Sequence, residues 1–157
     1  MTWEDPANLW DEASGLSGVE RLQLVVDGKL PGPPMARLMD IRIVEVANGR
    51  AVFAGTPAEF HYNPIGVVHG GYAATILDSA MGCAVHSTLK AGDVYTTLEL
   101  KMNFLRPLTS ATGPLRAVAT VINAGRTTAL AEGRLEDASG KLYAYASSTC
   151  LIKRVQS

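Results

Sequence analysis

From Phe60 to Leu89 the chain carries a single Asp, Glu, Lys or Arg, the carboxylate Asp78, and the run from Val67 to Val85 is crowded with Gly, Ala, Ser and Thr. A carboxylate isolated among apolar side chains is costly unless it is hydrogen-bonded, paired or put to chemical use. Nine residues before it stand His69-Gly70-Gly71, preceded by Asn63-Pro64 and Ile65-Gly66. A helix that begins at these glycines presents bare N–H groups and the positive end of its dipole, which together suit an oxyanion. Glycine also lets a substrate carbonyl come within hydrogen-bonding reach of the main chain. The structural alternatives are a carboxylate bonded to a backbone amide, and glycines that let a strand cross closely.

On one helix, Gly70 and Asp78 are eight steps apart, about 12 Å at about 1.5 Å per residue. A general base has to come within about 3 Å of the proton it takes, and an oxyanion donor must lie equally near its oxygen. The two groups therefore cannot share one carbonyl within one chain. They are either unrelated, or a second copy of the helix runs antiparallel beside the first. A twofold dimer does this and makes two equivalent sites.

The elements that must hold these groups can be read from periodicity. A helix over 70–86 that is apolar all round is a buried helix or a membrane span. Its glycines, His69 and Asp78 disfavour the membrane, so it is read as a long helix wrapped by a sheet, with small side chains allowing close approach. Ile41 and Ile43 on one parity, then Val44 and Val46 on the other, lead into Asn48-Gly49, a hairpin signal. From Tyr95 to Leu105 the alternation places Leu98, Leu100, Met102 and Phe104 on one face, with Thr97, Glu99, Lys101 and Asn103 on the other. Leu115 to Ile122, Thr128 to Glu136 and Leu142 to Ile152 complete six strands. Residues 1–34 form an arm with Trp3 and Trp10, packed on the domain of residues 35–157. Within the arm Ser17-Gly18-Val19-Glu20 has capping-box spacing and predicts a short helix presenting Val19, Leu22, Val25 and Val26. That helix stops near Asp27-Gly28, and Pro31-Gly32-Pro33-Pro34 breaks the chain.

These residues resemble a known family. Asn63, His69-Gly70-Gly71 and Asp78, followed by Tyr95-Thr96-Thr97-Leu98-Glu99-Leu100 and Phe104-Leu105-Arg106-Pro107, look like the hot-dog-fold acyl-CoA thioesterases of the phenylacetate-degradation (PaaI) and 4-hydroxybenzoyl-CoA thioesterase type. The likeness runs from about Met35 to Ile152. It implies an α+β fold, a central helix in a curved antiparallel sheet, assembled as dimers and often as homotetramers built from two dimers. By the same resemblance the Gly70 amide, assisted by Asn63 and adjoining Gly71, polarises a thioester carbonyl. Asp78 of the opposing subunit acts as general base or as nucleophile, Thr97 orients the water or the carboxylate, and His69 braces the loop. Gly82, one helical turn beyond Asp78, supplies no hydroxyl helper.

The expected substrate is an acyl- or aryl-acyl-CoA. Its phosphates call for local cations, for which Lys90, Arg106 and Arg126 stand at the ends of predicted elements, and Tyr72, Ile76 and Met81 are expected to line the acyl pocket. Two other functions are compatible with the fold. A hydratase or dehydratase would rely on His61 or His86, and a non-catalytic acyl-CoA-binding module would have no use for Asp78 beside an anionic ligand.

Composition narrows the field further. The chain has 157 residues and a net charge of -1, which suits one domain and offers no basic field for nucleic acid. An acidic start without an apolar run is no signal peptide, and Cys83 and Cys150 lie in apolar segments, so a reducing, cytoplasmic setting is expected. No Gly-x-Ser-x-Gly elbow occurs, because Gly15-Leu16-Ser17-Gly18-Val19 lacks the final glycine. Cys83 and His86 have no second pair at metal-ligand spacing, and no phosphate-cradling loop is present. Neither metal nor cofactor is expected.

Overall fold

Seven of the buried sheet positions are alanine, Ala51, Ala117, Ala119, Ala129, Ala131, Ala144 and Ala146, and they determine how closely a helix can lie on the sheet. A computed structural model of the chain describes residues 2, 3, 5 and 13–155. Its strands are β1 (Ile41–Ala47), β2 (Arg50–Gly55), β3 (Val94–Phe104), β4 (Leu115–Ala124), β5 (Thr128–Asp137) and β6 (Leu142–Lys153). They pair antiparallel in the order β1-β2-β4-β5-β6-β3. Among the described residues three α-helices accompany them: α1 (Gly18–Val26), α2 (Pro34–Leu38) and α3 (Gly70–His86). This is the six-stranded α+β architecture expected from the sequence. Trp10 lies outside the described residues.

Helix α3 lies across the sheet and meets every strand. Tyr72, Ile76, Leu77, Met81 and Val85 are sealed in one core with Phe53, Leu115, Leu135 and Cys150. The spacing is tight: a Cβ at Gly133 on β5 would sit 2.9 Å from Leu77 Cδ2. Among the described residues no helix is long and apolar enough to cross a membrane.

Helix α1 starts as the capping box predicts, with the Glu20 carboxylate accepting from the Ser17 amide at 2.9 Å and the Ser17 hydroxyl at 2.6 Å. Its first residue is docked on the far end of α3. The Gly18 amide donates to Leu89 O at 2.9 Å, and a Cβ at Gly18 would fall 1.7 Å from the His86 carbonyl oxygen. Only glycine fits there. The proline cluster does more than break the chain. Pro34 occupies the first turn of α2, where a missing N–H costs nothing because that turn has no intrahelical acceptor.

Two strands carry bulges that redirect their side chains. In β1 the register slips between Ile43 and Glu45, which accounts for the change of parity from the isoleucines to Val46. In β3 it slips between Thr97, opposite Cys150, and Glu99, opposite Thr149. Leu98 is the extra residue and is 58% exposed. The expectation of one continuous apolar face from Leu98 to Phe104 is therefore corrected. Tyr95 and Thr97 turn inward ahead of the bulge, and Leu100 and Met102 turn inward after it. Buried Ser148 donates to the Glu99 carbonyl at 3.0 Å and so satisfies the backbone there.

The entry to β3 is held by Asp93, which accepts from Arg154 Nη1 at 2.8 Å and from the Val155 amide at 3.0 Å. Burial opposes the charge of Asp93, yet the Val155 amide and the Arg154 guanidinium outweigh it and hold the carboxyl below its usual range. A carboxyl of lowered pKa stabilises the fold at neutral pH and loses that contribution as pH falls through its folded-state value. Asp93→Asn is expected to cost about 1–3 kcal/mol at neutral pH, and the gap from wild type should close in acid. Urea unfolding at both pH values measures it.

Candidate active site

The bulge in β3 brings Thr97 onto α3, where its hydroxyl donates to Asp78 Oδ1 at 3.0 Å. Asp78 is half-buried and opens into a cavity of ≈ 630 Å³, so it is less enclosed than its apolar neighbours in sequence suggest. Its second carboxylate oxygen has no hydrogen-bond partner among the described residues and faces an approaching molecule with its full acceptor capacity. Tyr95, two residues before Thr97 on the same side of β3, lines this cavity as well. A Cβ at Gly82 would lie 2.6 Å from the Tyr95 hydroxyl, so the phenol fills the space that the missing side chain leaves. Burial, together with the neighbouring Cys83, Cys150 and Asp78, raises the Tyr95 pKa well above its ordinary value, so the phenol keeps its proton. Sequence reading missed Tyr95, although its shared parity with Thr97 was the available signal. Cys83 lines the cavity too, but burial and then the charge of Asp78 push its thiol up to about 12. It is no nucleophile at neutral pH.

The start of α3 has a different geometry. His69 caps the helix, its Nδ1 accepting from the Gly71 amide at 2.8 Å, so the Gly71 N–H is already engaged. The Gly70 amide has no acceptor among the described residues. Gly70 lines a separate cleft of ≈ 300 Å³ with His69, Phe104 and Arg106. The Phe104 ring lies over it, 3.2 Å from where a Cβ would stand on Gly70. The preceding loop is tightened by Asn63, whose side-chain oxygen accepts from the Ile65 and Val67 amides at 3.1 and 3.3 Å. Asn63 borders neither cavity.

Of the sequence candidates, Asp78 with Thr97 and Gly70 with His69 form two separate groups, one along α3 and one at its start. Arg106 borders the Gly70 cleft and donates to Leu142 O. Lys90 lies at the other end of α3, in a cleft shared with His86 and Asp93. Arg126 is at that end too, its carbonyl accepting from Arg154. Tyr72 requires correction as a substrate-binding residue: it is 1% exposed, packed 4.5 Å from the His61 ring and beneath Gly55. Ile76 and Met81 are likewise core residues. Helix α3 is apolar all round, so its sequence does not distinguish the side facing the sheet from the side facing the cavity.

The histidines required for hydration chemistry are committed elsewhere. His61 Nδ1 accepts from the Ala58 amide at 3.0 Å. Burial, and then the charge of Arg21, push His86 down to about 4, at the end of α3 remote from Gly70.

Residues 65–144, which hold the Gly70 turn, Asp78 and Thr97, match the family model described as Thioesterase superfamily. The chain belongs to the thioesterase superfamily. This thioesterase is 32% identical to a protein of Saccharolobus solfataricus named as an esterase, over 76% of the chain and 84% of that relative. It is 26% identical to 1,4-dihydroxy-2-naphthoyl-CoA hydrolase of Listeria monocytogenes, over 73% of the chain and 91% of that enzyme. Among solved structures, a phenylacetic acid degradation-related protein of Ralstonia eutropha superposes with a TM-score of 0.75 at 31% identity. The superposition covers 83% of this thioesterase and 98% of that chain. The fold is thus the hot-dog fold of PaaI-like proteins, and the reaction class is thioester hydrolysis.

The cap on α3 yields a direct stability test. His69→Ala removes the acceptor of the Gly71 amide and is expected to cost about 0.5–2 kcal/mol. His69→Asn, whose side-chain oxygen can cap in its place, should recover most of that loss. Thermal denaturation of the two variants checks both expectations.

Proposed function

We propose that this thioesterase hydrolyses acyl- or aryl-acyl-coenzyme A at sites shared by two protomers, the Gly70 amide of one facing Asp78 of the other. The observation that carries this reading is the division of the machinery: an unengaged amide at the start of α3 and an unengaged carboxylate oxygen eight residues on, each opening into a different cavity. Strand β3 supports the pairing. It ends the sheet with one edge unpaired, runs for eleven residues and exposes Leu98 and Phe104 at 58% and 59%. Such an edge is a template for a second strand, and a twofold axis there lays two α3 helices antiparallel.

In this arrangement the Gly70 N–H and the dipole of α3 stabilise the oxyanion that forms when the thioester carbonyl is attacked. Asp78, fixed through one oxygen by Thr97, either takes a proton from the attacking water with the other or adds to the carbonyl itself. The C–S bond then breaks. In the first route the thiol of coenzyme A leaves with the proton Asp78 took from water. In the second the thiolate leaves and takes a proton from solvent, and water hydrolyses the acyl anhydride on Asp78 to restore the carboxylate. Arg106 beside the Gly70 cleft suits a phosphate of the departing coenzyme. The Listeria relative is named for the hydrolysis of an aryl-CoA, which supports a coenzyme A thioester as substrate here.

Thiol release from a panel of acetyl-, octanoyl-, benzoyl- and phenylacetyl-CoA tests the activity, and release from none of them would remove the reading. Asp78→Asn should lower turnover by at least about 10²-fold, and Thr97→Ala by only about tenfold, the worth of one hydrogen bond. The two-chain arrangement has its own test. Gly70→Pro deletes the amide hydrogen at a first-turn position that favours proline, and His69, at φ -58° and ψ 136°, already has the backbone that a following proline requires. Each variant alone should be nearly inactive. Dissociated, mixed in equal amounts and reassembled with Asp78→Asn chains, they should recover about a quarter of wild-type activity, because half the dimers are mixed and each mixed dimer has one intact site. No recovery in mixed dimers would place the two groups in unrelated roles.

A further inference from the structure

The ≈ 630 Å³ cavity into which Asp78 and Thr97 open is closed on its other side by the N-terminal arm. Leu22, Val25 and Val26 of α1 with Pro33 form the arm's part of that wall, and Met35 and Ala36 of α2, just past the arm, continue it. None of them falls within residues 65–144, the part that matches the family model. Ile41, Ile43, Val44 and Phe53 extend the apolar lining, and among the described residues Arg42 is its one cation. A single arginine in a cavity that also holds a carboxylate does not suit the phosphates of coenzyme A, whereas an uncharged apolar group displaces water from such walls favourably. The volume lies in the range of about 300–1,000 Å³ that encloses drug-sized ligands, far more than an acetyl group fills.

We propose that this cavity receives the acyl part of the thioester, that the acyl group is bulky and apolar, aryl or of medium chain length, and that the arm sets its size limit. The inference rests on the hydrolytic reading of Asp78 given above. The carbonyl carbon has to sit within reach of Asp78, and the cavity continues from that carboxylate to the arm, so the chain or ring attached to the carbonyl runs inward along α1. The arm is firmly seated: Leu22 belongs to the buried core, and Gly18 is bonded to Leu89 at the end of α3. Substitutions on α1 therefore change the shape of the cavity without touching the groups that act on the carbonyl.

The experiment compares kcat/KM for acetyl-, butanoyl-, hexanoyl-, octanoyl- and phenylacetyl-CoA in the wild-type protein and in two arm variants. In the wild type each added methylene should raise kcat/KM about fourfold until the cavity is full. Val26→Phe, which fills the cavity from the arm, should lower the octanoyl-to-acetyl ratio at least tenfold. Gly18→Ala, which forces α1 off the end of α3, should flatten the same ratio by removing the wall. The ratio is internal to each preparation, so partial loss of folded protein does not alter it. Measurable hydrolysis with a ratio that is flat in the wild type, or unchanged in both variants, would overturn the assignment while leaving the hydrolytic reading intact. Absence of hydrolysis with every substrate would overturn that reading and this inference with it.

Discussion

A helix can approach a sheet only as closely as the side chains between them permit, and in this protein that separation is set by alanine and glycine. Ala117, Ala119, Ala131 and Ala146 on the strands, with Gly133 beneath Leu77, let α3 settle low across the sheet. The 3.0 Å bond from Thr97 to Asp78 depends on that closeness, because a threonine side chain is short and the carboxylate it meets is fixed to the helix. Larger residues on the sheet would lift α3 and separate the pair before they weakened the core.

The same rigid helix keeps the two chemical functions apart. An amide at the first turn and an acid more than two turns later are separated by about 12 Å of backbone, and no side-chain rotation brings the Gly70 amide nearer. The cap on Gly71 sharpens this division. By engaging one of the first-turn amides, His69 leaves the Gly70 N–H to face the cleft beneath Phe104.

Much of this was legible in the sequence. The bounds of α3, the six strands, the Asn48-Gly49 hairpin and the capped helix at Ser17 follow from periodicity and turn chemistry alone. The bulge in β1 left a trace in the change of parity between Ile43 and Val46, from which the sequence reading drew only a hairpin. The bulge in β3 was hidden because Leu98 continues an apolar alternation that the backbone interrupts. The acyl wall could not be read either. Tyr72, Ile76 and Met81 have the right chemistry for a pocket, but a helix without a polar face carries no mark of which side meets the sheet. Helix α2 was concealed for a related reason, since Pro34 reads as a stop and acts as a start.

The slip in β3 reconciles two runs of opposite parity, Tyr95 and Thr97 before it and Leu100 and Met102 after it. Leu98 faces outward and pairs with nothing on β6. Deleting it would let Thr97 and Glu99 close into regular pairing, with Tyr95, Thr97, Leu100 and Met102 falling on one face by simple alternation. One inserted residue thus lets side chains of opposite parity meet the same helix.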